Sequence, residues 1–380
     1  MTDEIAEINS KKIKVLLGPS YKNAYLYEDF GDTEYTSMTE LAQTEQYSKL
    51  FSDERFDTIA ISASDLALAN WRNGFNNKEK ETVENEFYEF AAYLLTTYKD
   101  TNKTFILQNW EGDNLIKAWD EDLTDQSVAE TQNIKFEGLA QYMNARQAGV
   151  ERARNEFGSK GVKVVNAFEV MAVPADSIGD SYYFKVNDNG DIVKCPLMVD
   201  ILIGNAPRIN PDGTKTYFTR VKADLYSISS WHTSFMAYEA LQPDGSYIKP
   251  TVAEWNASMA ERLNYMAERA LPSDVYGYQN LMVGEFGAKE YYDASNVDGQ
   301  AEAKMEIAKA QVDSFMTVPQ LQYAFYWQLF CNGIKDSVNN AWSADKKYSN
   351  SELMGGWLIR PDGTKPPIYD YIKDLLTTEN

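Results

Sequence analysis

The chain has 380 residues, a formal net charge of −21 and a single histidine, His232. The length suits one barrel of about 250 residues with insertions, and the charge argues against nucleic acid or an anionic membrane as partner. One histidine rules out a His-rich metal centre and leaves a Ser-His-Asp or Cys-His enzyme only His232 to build on. Acid–base chemistry is therefore expected to run on carboxylates, with no cofactor and no metal.

Cys195 and Cys331 form no CxxC pair, and Cys331 follows an aromatic run that suits a core. No stretch reaches the roughly 18 apolar residues of a membrane helix. The opening MTDEIAEINSKKIK lacks the apolar core of a signal peptide. That leaves a cytoplasmic protein or one whose leader has been trimmed, and a secreted or periplasmic setting is the expectation. The 25 Tyr, 17 Phe and 8 Trp mostly pack a core, and the excess leans towards stacking on sugar rings.

In chain order, Ile13–Leu17 reads as a strand, Ala24–Tyr27 as a weak strand candidate and Thr36–Phe51 as a helix. Thr58–Ser62 is a buried strand. Asn77–Tyr98 is a long amphipathic helix with Val83, Phe87, Phe90, Ala91 and Leu94 on one face. Thr104–Asn109 is a strand, Ile134–Phe157 a helix, and Val162–Val173 a strand. The helical rhythm breaks between Ser181 and Arg220, where Asn189-Gly190 and Asp212-Gly213 mark hairpins. Ala223–Ser229 is the next strand and Thr251–Leu271 a helix. Leu281–Glu285 is a strand, Glu302–Phe315 a helix, Gln322–Leu329 a strand and Ile368–Leu376 a closing helix.

Strands alternating with helices imply a parallel sheet of seven or eight βα units. The expected fold is α/β, a (β/α)8 TIM barrel in a single domain over 1–380. A small β insertion at about 177–221 falls between strands 5 and 6. The protein is expected to act as a monomer.

Active sites of such barrels lie at the C-terminal strand ends. Two apolar runs end there on a glutamate beside a glycine: FILQNWEGDN at Glu111 and LMVGEFG at Glu285. They lie three strands apart, so they face each other across the mouth. A retaining glycosidase needs this pair, about 5–5.5 Å apart, with one carboxyl protonated and the other ionised. Glycines beside Glu285 are expected to admit a sugar ring close to the backbone. A non-catalytic carbohydrate-binding barrel and an inverting hydrolase remain as alternatives.

The pattern resembles glycoside hydrolase clan A, the (β/α)8 superfamily of cellulases, β-mannanases and β-xylosidases. VGEFG is similar to its seventh-strand motif. The resemblance implies Glu285 as nucleophile, Glu111 as acid/base, and a β-linked oligo- or polysaccharide as substrate. It also implies that Thr104–Asn109 is the fourth strand and that Trp327, on the eighth, lies under the sugar. The usual Asn-Glu of the fourth strand is here Asn109-Trp110-Glu111, so Trp110 is expected to line the cleft beside Asn109. Further substrate contacts are expected from Tyr226, Trp231 and His232 around the sixth strand, Glu169 at the fifth, and Asn70 and Trp71 after the third. Arg146 is expected to be solvated or salt-bridged on its helix.

Overall fold

The computed structural model describes residues 2–18, 34–64, 66, 69–117, 121, 126–175, 177, 184–186, 189–194, 197–209, 214–231, 240–241, 244–248, 250–290, 292, 294–331, 333–335 and 346–378. Its frame is a curled parallel sheet of seven strands. These are β1 (Lys12–Leu17), β2 (Thr58–Ala63), β3 (Thr104–Gln108), β4 (Lys163–Val170), β9 (Leu225–Ser229), β12 (Leu281–Phe286) and β13 (Leu321–Tyr326), adjacent in that order.

Between β4 and β9 lie two antiparallel pairs. Phe184–Val186 (β5) pairs with Ile192–Lys194 (β6), and Pro207–Ile209 (β7) with Lys215–Tyr217 (β8). Ala240–Leu241 (β10) pairs with Tyr247–Ile248 (β11) before β12.

Strands β1 and β2 pair directly, from Lys12↔Thr58 to Leu17↔Ala63. Ala24–Tyr27 lies outside the described residues. Among the described residues the sheet therefore ends on β1 at one side and β13 at the other. Both edges line one groove of about 480 Å³, to which Ile13 and Val15, Tyr323 and Phe325, and Ile8 and Leu375 all contribute.

The strand period of two sorts the side chains. Ile59, Ile61, Phe105, Leu107, Phe168, Tyr226, Ile228 and Val283 face outward into the core beneath the helices. Ala60, Ile106, Val165, Ala167, Leu225, Met282 and Phe325 face inward and fill the lower barrel. One step further along the strands the inward layer turns polar, with Gln108, Glu169 and Ser227, all buried.

The helix α4 (Asn77–Thr97) shows how local signals fix the outer layer. Asn76 caps it, accepting from Glu79 N at 3.0 Å while its own N–H donates to Glu79 Oε2 at 3.0 Å. Such a box contributes about 1 kcal/mol. The predicted stripe of Val83, Phe87, Phe90, Ala91 and Leu94 is buried, and much of it packs on the helix α6 (Gln126–Phe157). Gly149 of α6 permits the close crossing, since a Cβ there would lie 2.9 Å from Tyr88 N.

Arg146 of α6 is a correction: it is buried rather than solvated. It donates to Ala63 O at 3.2 Å and Leu107 O at 3.3 Å, tying the ends of β2 and β3. The helix expected over Thr36–Phe51 is two helices, Met38–Ala42 and Glu45–Ser52. No helix among the described residues is long and apolar enough to cross a membrane.

Candidate active site

Glu285 does not follow the simple alternation of its strand. With Leu281 and Val283 outward, a regular β12 would turn Glu285 outward too. A register irregularity between Val283 and Glu285 instead sets Glu285 opposite Ser229, whose side chain faces the interior. Both of its oxygens accept hydrogen bonds. Lys14 Nζ lies 2.8 Å from Oε1, and Trp231 Nε1 donates to Oε2 at 2.7 Å.

Glu111 stands where β3 gives way to the helix α5 (Gly112–Ile116). Ser229 Oγ donates to its Oε1 at 2.6 Å, and Asn114 Nδ2, one helical turn on, donates to its Oε2. Burial pushes the Glu111 carboxyl up to about 7, with the charge of Glu285 adding to the shift. Ser229 Oγ also lies 3.5 Å from Glu285 Oε2. With arms of 2.6 Å and 3.5 Å meeting at one atom, Glu111 Oε1 and Glu285 Oε2 are at most 6.1 Å apart.

A third carboxyl lies beneath this pair. Glu169 is fully buried on β4. Its Oε2 accepts from Ser227 Oγ at 3.0 Å and from Gln108 Nε2, and its Oε1 accepts the Glu111 N–H at 3.3 Å. Burial raises its pKa. It supports the floor of the site rather than presenting an oxygen to a sugar. Asp113, also buried, accepts from Met171 N at 2.6 Å and Ala172 N at 3.3 Å, which fixes the loop leaving β4. Burial lifts it to about 6.

The glycines of VGEFG serve the interior, which corrects the expectation that they admit a sugar. A Cβ on Gly284 would overlap Glu169 Oε2 and lie 2.7 Å from Gln108 Nε2. A Cβ on Gly287 would lie 2.7 Å from Trp327 O.

The other expected site residues divide. The Trp327 ring centroid is 5.3 Å from Lys14 Nζ, which brings this tryptophan to the carboxylate pair. Trp110, next to Glu111, is 46% exposed and free to meet a ligand. Trp231 comes to the site as a donor to Glu285. Asn109 is spent on its neighbour strand: Oδ1 accepts Glu169 N at 2.8 Å and Nδ2 donates to Glu169 O at 3.2 Å.

Tyr226 is a further correction. It is fully buried on the outer face of β9, and its hydroxyl donates to Val221 O at 2.9 Å. Trp71 is mostly buried under the Arg72 guanidinium, 4.3 Å away, and Asn70 lines a shallow polar hollow with Asn73, Asn76 and Glu79. His232 lies outside the described residues. Among the described residues no group of three His, Cys, Asp or Glu side chains could hold a metal ion.

Sequence reasoning missed Lys14, Ser229 and Asn114. The signal for the first two was the phase of their strands: Lys14 alternates with Ile13 and Val15, and Ser229 with Tyr226 and Ile228. Asn114 sits three residues after Glu111, the spacing of side chains stacked on one helix face.

No family model matches the chain, and no curated protein matches it. Solved structures do. A GH5_18 protein of Bifidobacterium longum, solved with Manβ1-4GlcNAc, aligns with a TM-score of 0.51 at 12% identity, over 99% of this chain and 71% of that one. The β-glucuronidase of Ruminococcus gnavus aligns with a TM-score of 0.45 at 8% identity, over 100% of this chain and 47% of that one. The β-D-glucuronidase of Dictyoglomus thermophilum gives 0.44 at 10%, over 99% and 46%. The chain thus spans about half the length of these glucuronidases. At such identities the likeness to the GH5_18 structure shows the fold alone, a TIM-type parallel α/β architecture.

Proposed function

We propose that the protein is a retaining glycoside hydrolase acting on β-linked sugars. The observation that carries this reading is the single Ser229 hydroxyl reaching both Glu111 and Glu285. Through that hydroxyl the facing oxygens of the two carboxyls come within 6.1 Å of each other, which brings the pair together at one point of the barrel mouth. That limit accommodates the retaining separation of about 5–5.5 Å.

The roles follow from the environments. Glu111, buried and shifted to about 7, carries a proton at mildly acidic pH and can give it to the departing glycosidic oxygen. Glu285 receives only donors, an ammonium and an indole N–H, which is the setting of an ionised carboxylate. Its lone pair would attack the anomeric carbon as the bond to the leaving oxygen breaks, giving a glycosyl ester on Glu285. Glu111, now ionised, would take a proton from water as the water oxygen displaces Glu285, restoring both side chains. Trp110, exposed beside Glu111, and Trp327, beside Lys14, are the aromatic faces that would stack on a sugar ring.

The test is a panel of aryl β-glycosides with the first-formed sugar observed by proton NMR. Product that appears first as the β-anomer supports the reading. An α-anomer appearing first would replace it with inversion, and no turnover on any member would leave a binding protein.

A further inference from the structure

We propose that Lys14 is a positioning residue of this site, anchoring one oxygen of Glu285 and supplying positive charge to a chamber of three carboxyls. The inference rests on the retaining reading and deepens it by giving β1 a part in the chemistry.

Lys14 is an unusual residue for a barrel strand. Its neighbours Ile13, Val15 and Leu17 pack outward on the helices, so its side chain points into the barrel. Only 5% of that side chain is exposed. Burying an ammonium costs several kcal/mol unless it is paired and hydrogen-bonded. Here Nζ meets Glu285 Oε1 at 2.8 Å and Gly284 O at 3.1 Å, and the Trp327 ring lies 5.3 Å away.

The charged groups facing this point come from three other segments: Glu285 on β12, Glu169 on β4, and Glu111 after β3. Burial alone would lower the lysine. The charge of Glu285, and after it Glu169, outweighs burial and holds Lys14 above its ordinary value. It therefore stays cationic wherever the enzyme works. Trp231 holds the other oxygen of Glu285, so the carboxylate is gripped at both ends. Without the ammonium, Glu285 would share a buried chamber with two carboxyls and lose its closest counter-charge.

Two variants test this, K14M and K14R, each checked for folding by thermal melting. The rate constant kcat/KM is measured against pH on an aryl β-glycoside. In K14M the acid limb should move to higher pH by about one to three units, the usual effect of an opposite charge at contact distance. The loss should then be largest on the acid side, where a shift of that size allows roughly 10-fold to 1,000-fold, and shrink towards alkaline pH. K14R should keep the wild-type limb. An equal loss at every pH in K14M, with no rescue by K14R, would overturn the proposal.

A second readout needs no turnover. In protein labelled with 13C at glutamate Cδ, the titration that E285Q removes should lie at higher pH in K14M than in wild type. An unmoved titration also overturns the proposal. If wild-type protein cleaved no glycoside, the hydrolase reading would fail, and the NMR experiment would still decide the role of Lys14.

Discussion

Gly284 leaves open the space that the carboxyl of Glu169 fills. A Cβ on Gly284 would overlap Glu169 Oε2 and crowd the Gln108 amide at 2.7 Å. Glu169 cannot swing aside, because Ser227, Gln108 and the Glu111 backbone all hold it. Gly284→Ala should therefore destabilise by about 1–3 kcal/mol, the usual range for overpacking. It should also cost activity, since the displaced Glu169 supports Glu111. Melting temperature and kcat measured on one preparation check this. A variant with wild-type values for both would show that the floor of the site can yield.

Ser229→Ala tests the hydroxyl between the two catalytic candidates. The bond from Ser229 favours the ionised form of Glu111, so its removal should push that carboxyl further above about 7. The basic limb of kcat/KM should move to higher pH, and the optimum rate should fall by roughly 10-fold, the scale of one lost charge-assisted hydrogen bond. A drop with no movement of the limb would assign Ser229 to packing alone.

The raised pKa of Glu111 also predicts how stability varies with pH. The unfolded glutamate titrates near 4.3 and the folded one near 7. Between these values the native state binds the extra proton, so stability falls as pH rises through the window. The loss is nearly complete by about pH 7 and is on the order of 4 kcal/mol at most. Glu111→Gln removes this dependence. It should match wild type near pH 4.5 and melt at a higher temperature at pH 8. Denaturant melts at both pH values check the sign, and a variant less stable than wild type at pH 8 would contradict it.

Glu111→Ala separates acid from base. A nitrophenolate leaves without a proton, so formation of the glycosyl enzyme should survive, while the water step slows. The trace should show a burst followed by slow turnover, and oligosaccharides should hardly react. Azide needs no base and fits the space left by the carboxylate. It should restore turnover and yield a glycosyl azide of retained configuration. An inverted product, or no response to azide, would remove Glu111 from the acid/base role.

Much of the architecture was legible because apolar runs and 3.6-residue stripes report burial directly. Strand ends at Glu111 and Glu285 were visible for the same reason, since each breaks an apolar run. What was hidden was phase. ADLYSIS offers Tyr226 or the serines to the barrel interior, and only the pairing of β9 with β4 and β12 decides for Leu225, Ser227 and Ser229. Lys14 and Arg146 look like surface residues in a sequence, because their partners are brought to them by other strands. The glycines of VGEFG were misread for a related reason: what they accommodate comes from β3, β4 and β9, and from the backbone after β13.

The groove between β1 and β13 gives the Lys14 bond a second meaning. Lys14 rises from one edge of the sheet, and its ammonium binds the backbone and side chain of β12, the strand next to the other edge. It works as a clasp across the side where, among the described residues, the sheet is left unpaired. Thermal spreading of that side would pull Lys14 from Glu285 before the outer helices come apart. Catalytic heat tolerance would then be set by one lateral seam, and inactivation would precede the melting of secondary structure.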